Sequence, residues 1–158
     1  MTVKELVLDH LDYTFAKEAW QPSLAMAVEG LNARQAAWKP APDRHSIWQA
    51  VRHVILWKQG MVDAWTGKVP DLQDLERRDW AEVTGDDAAW HADVQALHAV
   101  STHLRNLVQA SDDQKLASRI PTYAGVRDQV AAARLVRMAT HDIYHAGQIR
   151  YIRALQGA

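Results

Sequence analysis

His141-Asp142-Ile143-Tyr144-His145-Ala146-Gly147-Gln148-Ile149 is the stretch on which the reading of this chain turns. At about 100° per residue on a helical wheel, His145 lies about 40° from His141, with Met138, Ile149 and Ile152 about 60°, 80° and 20° from it. Two imidazoles and three apolar side chains then share one face, and that face turns inward. Histidines four apart on a helix stand one above the other, about 6 Å between β-carbons, so both rings can reach one metal ion. Burying two imidazoles one turn apart without a metal leaves several polar nitrogens to satisfy, which tilts the balance toward ligand roles.

The same helical period runs outward through nearly the whole chain. The last helix spans about residues 127–155 and ends before Gly157. The first begins with the capping box Thr2-Val3-Lys4-Glu5 and has Val3, Leu6, Val7, His10, Leu11 and Thr14 as its inner stripe. Pro22 kinks or restarts it, and residues 23–31 continue it before a connection with Pro40 and Pro42. Ser46-Ile47-Trp48-Gln49 is a second capping box, opening a helix that runs to about Trp65. Residues 66–85 read as irregular, and a connection that long is a lid candidate. Asp86 or Asp87 caps the third helix, whose seam is Trp90, Val94, Leu97, Leu104 and Val108. A second irregular stretch, about 111–126, carries Pro121 and Gly125. Four long amphipathic helices without a strand pattern predict an all-α fold, a four-helix bundle. The long connections after the second and third helices imply that some neighbouring helices run parallel.

At 158 residues the chain fits one domain, 1–158. No apolar run is long enough to span a membrane, and Glu5, Asp9 and Asp12 interrupt any signal-peptide reading. There is no cysteine, which removes disulfides, thiolate metal sites and thiol nucleophiles and points to a cytoplasmic location. With 18 basic against 19 acidic residues the chain lacks the basic excess of a nucleic-acid binder. Seven tryptophans stand against one phenylalanine, most of them expected in the core and several able to line a pocket.

A third ligand must come from another helix. His53 is the best candidate, sharing its face with Ala50, Leu56, Trp57, Gly60 and Ala64, whose small members leave room beside the ring. Three neutral imidazoles with an open position form a catalytic type of metal site, in which bound water acidifies toward neutral pH. Such a set suits zinc, nickel, iron or cobalt, with zinc and nickel the first expectation. His10 on the first helix is a candidate fourth ligand or proton shuttle. His91 and His98 stand about 10 Å apart, too far for one ion, and His45 and His103 read as exposed.

Around the trio, Gln49 and Trp57 lie one turn before and after His53, and both can border the open position. Gln148 and Arg134 share the face of His141, and Arg134 either holds a substrate carboxylate or extends to solvent. Asp142 points about 100° from His141; it orients a ligand imidazole on a neighbouring helix or serves as a solvated or helix-pairing group. No H-E-x-x-H, phosphate loop or activated serine is present.

Together, Ser46-Ile47-Trp48-Gln49-Ala50-Val51-Arg52-His53 and His141-Asp142-Ile143-Tyr144-His145-Ala146-Gly147-Gln148-Ile149 resemble the DinB-like group of the DinB/YfiT superfamily of metal-dependent enzymes. The resemblance implies an up-down-down-up four-helix bundle and a divalent metal held by His53, His141 and His145. It also implies relatives that transfer thiols such as bacillithiol, or use mycothiol in maleylpyruvate isomerisation, which makes a low-molecular-weight thiol a candidate cofactor. No thiol-binding motif matches. Two function classes stand at this point. One is a metalloenzyme, a hydrolase or thiol transferase, activating water or a thiol for attack on a small electrophile. The other is a non-catalytic helical module, dimeric through exposed helix faces, with a structural metal or none. The expected partners are a small-molecule substrate and a second copy of the chain, without nucleic acid or membrane.

Overall fold

Thr2 starts the first helix as expected: its side chain accepts from the Glu5 amide, and the Glu5 carboxylate accepts from the Thr2 amide. The computed structural model describes residues 1–123 and 126–158, so Gly125 lies outside the described residues. The same capping chemistry opens one helix after another. Thr2 begins α1 (Val3–Phe15), Ser23 begins α2 (Leu24–Val28), Asn32 begins α3 (Ala33–Ala37) and Ser46 begins α4 (Ile47–Trp65). Aspartates 71, 86 and 112 begin α5 (Leu72–Arg78), α6 (Asp87–Ala110) and α7 (Asp113–Ala117). Strands β1 (Arg119–Ile120) and β2 (Gln129–Val130) pair antiparallel, and α8 (Ala131–Gln156) follows directly. The protein is predominantly helical.

Several boundaries differ from the sequence expectation for local reasons. Residues 23–31 do not continue the first helix: α1 ends at Phe15, and after Pro22 the Ser23 side chain caps a separate helix that covers only Leu24–Val28 and stops before Gly30, at φ +74°. The 66–85 connection contains α5, whose Leu75 is buried and approaches Gly60 of α4. The β1–β2 pair is too short for a period-two pattern, so an all-helical reading passes over it. It also delays the start of α8 from residue 127 to Ala131.

On α1 the buried residues are Val7, Leu8, Leu11, Thr14 and Phe15, while Val3, Leu6 and His10 face outward. The cause is polar. Arg105 Nε donates to Asp12 Oδ1 at 2.5 Å, and Lys4 Nζ donates to the Ser111 carbonyl at 3.0 Å. These contacts turn positions 4, 8, 12 and 15 toward α6 and carry His10 away from the interior.

The four long helices α1, α4, α6 and α8 pack on one another. Trp48 and Arg52 meet Asp93, and Lys58 meets Ser101, so α4 and α6 advance in the same direction. Lys4 lies by Ser111 and Asp12 by Arg105, so α1 and α6 run oppositely. Buried apolar residues gather in two clusters. One contains Phe15, Leu24, Trp48, Trp90 and Ile149; the other contains Leu11, Met61, Leu104, Ile120 and Leu135. Along α4 and α8 the two are separated by polar residues: His53 and Lys58 on α4, and His141, Asp142 and His145 on α8. No helix among the described residues is long and apolar enough to cross a membrane.

Candidate metal centre

Helix α4 brings His53, and α8 brings His141 and His145, to one point between the two apolar clusters. One ligand-capable atom from each of the three residues lies within 4.8 Å of the others. His53 Nε2 is 2.9 Å from His141 Nε2, and His145 Nε2 is 3.0 Å from the same atom. The opposite ring nitrogens of two rings are fixed by oxygen acceptors. His53 Nδ1–H donates to Asp79 Oδ1 at 2.6 Å, and His145 Nδ1–H donates to Gln148 Oε1 at 2.8 Å. Those tautomers leave both Nε2 atoms as bare lone pairs aimed at His141.

His141 Nε2 can carry one proton and satisfy one of these neighbours, while its buried Nδ1 has no hydrogen-bond partner. A full set of N–H donors is therefore lacking where three nitrogens converge. Protonation does not resolve the conflict. Burial, then the nearby His53 and Lys58 charges, push His141 down to about 4; burial, then His141 and His53, push His145 down to about 3. His53 is also lowered, by burial, against the raising effect of Asp79. Neutral imidazoles are the ligating form, and a cation placed among their lone pairs removes the repulsion. The donor set thus fits a divalent metal of the zinc or nickel type.

The same shifts set the acid response of the metal-free protein. Unfolded histidine titrates near 6.5, whereas folded His141 resists protonation until about 4. The unfolded chain binds more protons in that window, so stability falls with falling pH. The histidine contribution is complete above pH 6.5 and is lost as pH drops toward 4 and then 3. Denaturant unfolding of chelator-treated protein across the window is expected to show a midpoint that declines with acidification; a flat profile would refute this assignment.

Asp79 is the part of the site that spacing in the sequence does not reveal. It directly follows α5 in the 66–85 connection, 13 % exposed at its side chain. Its Oδ2 accepts from Trp57 Nε1 at 3.1 Å and its Oδ1 from the Trp80 amide at 3.0 Å as well as from His53. Asp79→Asn keeps the shape but removes the charge that fixes the His53 tautomer. Loss of such an outer partner is expected to weaken metal binding about 10–100-fold, read by competition with a chromogenic chelator; unchanged affinity would remove Asp79 from the site.

The other expected residues divide. Gln148 orients His145, and Trp57 reaches Asp79 and tilts against His53 at 6.1 Å between ring centroids. Gln49 turns its amide to the backbone rather than to an imidazole. Its Oε1 accepts from the Ser46 amide and its Nε2 donates to the Trp80 and Ala81 carbonyls, tying the connection down. Asp142 orients no imidazole; it is fully buried and pairs with Lys58 Nζ at 2.7 Å. His10 is exposed and outside the cluster. Arg134 is half-buried and lines the cavity that His141 also lines.

Trp80 is a further residue the sequence did not single out. Its ring stacks on His53 at 4.1 Å and on the far side takes His45 at 4.0 Å, both 19° from parallel. Its backbone sits at φ +55°, a left-handed conformation uncommon for a bulky residue. The hydrogen bonds from Gln49 to its carbonyl and from its amide to Asp79 accompany that conformation. One cavity of about 540 Å³ opens beside Trp80, His145, Gln148 and Tyr151. Another, of about 230 Å³, opens beside His141 and Trp57.

No curated protein and no solved structure matches the chain. A family model described as the DinB superfamily matches residues 17–149, a span that holds all three histidines together with Asp79 and Gln148, and the chain belongs to that superfamily.

Proposed function

We propose that the protein is a metal-dependent enzyme that activates water or a thiol for attack on a small electrophilic molecule. In this reading His53, His141 and His145 hold a divalent zinc or nickel ion in an up-down-down-up four-helix bundle. The carrying observation is the convergence of three neutral Nε2 atoms, two of them oriented from behind by Asp79 and Gln148. Membership of a metal-associated superfamily supports it, as do the parallel run of α4 with α6 and the opposed run of α1. Structural zinc sites are closed by four protein ligands. Among the described residues this cluster has three, which favours a site with room for a reactant.

A divalent cation in such a site supplies Lewis acidity, lowering the pKa of a water or thiol nucleophile and polarising the electrophile. The chain's own residues do the rest. Asp79 and Gln148 fix two ring tautomers so that lone pairs face inward. Trp57 and Trp80 pack beside His53 and keep bulk water from its ring faces, and the two cavities give a substrate access from the His141 side or the His145 side.

The test uses untagged protein, its metal content and its turnover. Aryl esters and epoxides are offered to the metal-loaded protein with and without a low-molecular-weight thiol. Turnover that chelation abolishes and metal restores supports the proposal, and dependence on the thiol separates transfer from hydrolysis. Tightly bound metal with no exchangeable position and no turnover would favour a structural module instead.

A further inference from the structure

The cavity on the His141 side carries a charge arrangement that the metal site does not use. Trp57, Tyr123 and Met138 form its walls, His141 lies at one side, and Arg134 and Arg137 also line it. Arg134 is half-buried, yet its contacts are neutral. Its guanidinium donates to the Pro121 carbonyl and lies in hydrogen-bond reach of Tyr123. Arg137 donates to Gln129 Oε1. Among the described residues neither arginine has a carboxylate partner, whereas Arg52, Lys58 and Arg105 each face an aspartate. Burial acts most strongly against the Arg134 charge, Tyr123 partly offsets it and the neighbouring Arg137 adds to it, so an anion arriving in the cavity relieves a remaining penalty.

We infer that Arg134, aided by Arg137, is the carboxylate-recognition element of the centre and that the substrate is a small organic acid. The guanidinium fork suits a carboxylate, giving two parallel charge-assisted hydrogen bonds. Aromatic and thioether walls suit an apolar body. A volume of about 230 Å³ admits an acid of aryl-carboxylate size rather than a large conjugate. Residues 134 and 141 are seven apart on α8, about 10 Å along the axis. An acid held at Arg134 therefore presents the end remote from its carboxylate to His141. The inference rests on the proposed metal centre only for what happens at that remote end; recognition of the carboxylate belongs to the cavity alone.

Binding is therefore measured on metal-free protein, where no cation can attract the anion. Isothermal titration with benzoate and with its neutral isostere benzamide is expected to give at least about tenfold tighter binding of benzoate. Arg134→Gln is expected to abolish that preference, and Arg134→Lys to retain part of it, with metal affinity unchanged in both. The exposed Arg137→Gln, with little structural role at stake, is expected to weaken benzoate more than benzamide. Equal binding of the two compounds to the unaltered protein, or a benzoate preference that survives Arg134→Gln, overturns the inference. Failure of the metal-centre reading would show separately, as absence of bound zinc or nickel in protein that still prefers benzoate.

Discussion

Replacing His141 with alanine is expected to lower the affinity for zinc or nickel by more than about 100-fold, beyond the 10–100-fold that follows loss of an outer partner. His141 is the most severe of the three sites because its Nε2 makes both short nitrogen contacts, to His53 at 2.9 Å and to His145 at 3.0 Å. With it gone, His53 and His145 remain on different helices as a two-point site. The unaltered protein should hold about one metal per chain, as a three-imidazole centre does. Elemental analysis and chelator competition read both quantities, and far-ultraviolet dichroism verifies that the variant stays helical. Metal-free wild-type protein that resists loading, or a variant that binds as tightly as the parent, would end the metal assignment. The metal-free variant offers a second check. It loses a buried Nδ1 with no partner and one member of a repulsive trio, so its acid sensitivity between pH 6.5 and about 4 should be weaker than that of the parent.

The histidine trio was legible because its information is local. The spacing of His141 and His145 fixes their common face once a helix is granted, and the Ser46 cap fixes the phase of the helix that delivers His53. The boundaries at Ser46, Trp65 and Asp86 were legible for the same reason, since capping is written in four consecutive residues. Asp79 and Trp80 were not legible, because their roles arise from closure of a 26-residue separation between His53 and Asp79. No periodicity marks a residue that sits just past a short helix and folds back. The error at His10 is of another kind. The apolar pattern of α1 allows more than one rotation, and the choice is made by Arg105 and Lys4, whose partners on the other element are far away in sequence. Lys58 was missed because a lysine in a helical pattern reads as solvent-facing, and only its pairing across to α8 keeps it inside.

Lys58→Met is expected to destabilise the protein by about 3–5 kcal/mol, the range seen when one member of a buried ion pair is removed. At about 2–4 °C per kcal/mol for a chain of this size, the melting temperature should fall by about 10 °C. Lys58 is 1 % exposed and Asp142 0 %. Their contact is 2.7 Å, Lys58 Nζ donates to Ser101 Oγ at 2.7 Å, and the ammonium lies 4.4 Å from the Phe15 ring centroid. Burial pulls each partner toward its neutral form, lysine down and aspartate up, and the attraction between them opposes both shifts. Without the lysine, Asp142 is left as a buried carboxylate whose Oδ1 already lacks a partner, so it escapes by taking up a proton. Its folded pKa then stands above the unfolded 3.8, and stability in the variant is retained at low pH and lost as pH rises through the folded value. The deficit relative to wild type should therefore be largest near neutrality and shrink toward pH 3.8, opposite in sign to the histidine effect. Lys58→Met/Asp142→Leu removes both charges and is expected to recover most of the loss, since two apolar side chains of similar volume need no compensation. A double variant as unstable as the single one would show that packing rather than an orphaned charge sets the cost. The pair also bears on the centre, because the Lys58 charge is among the causes that hold His141 neutral.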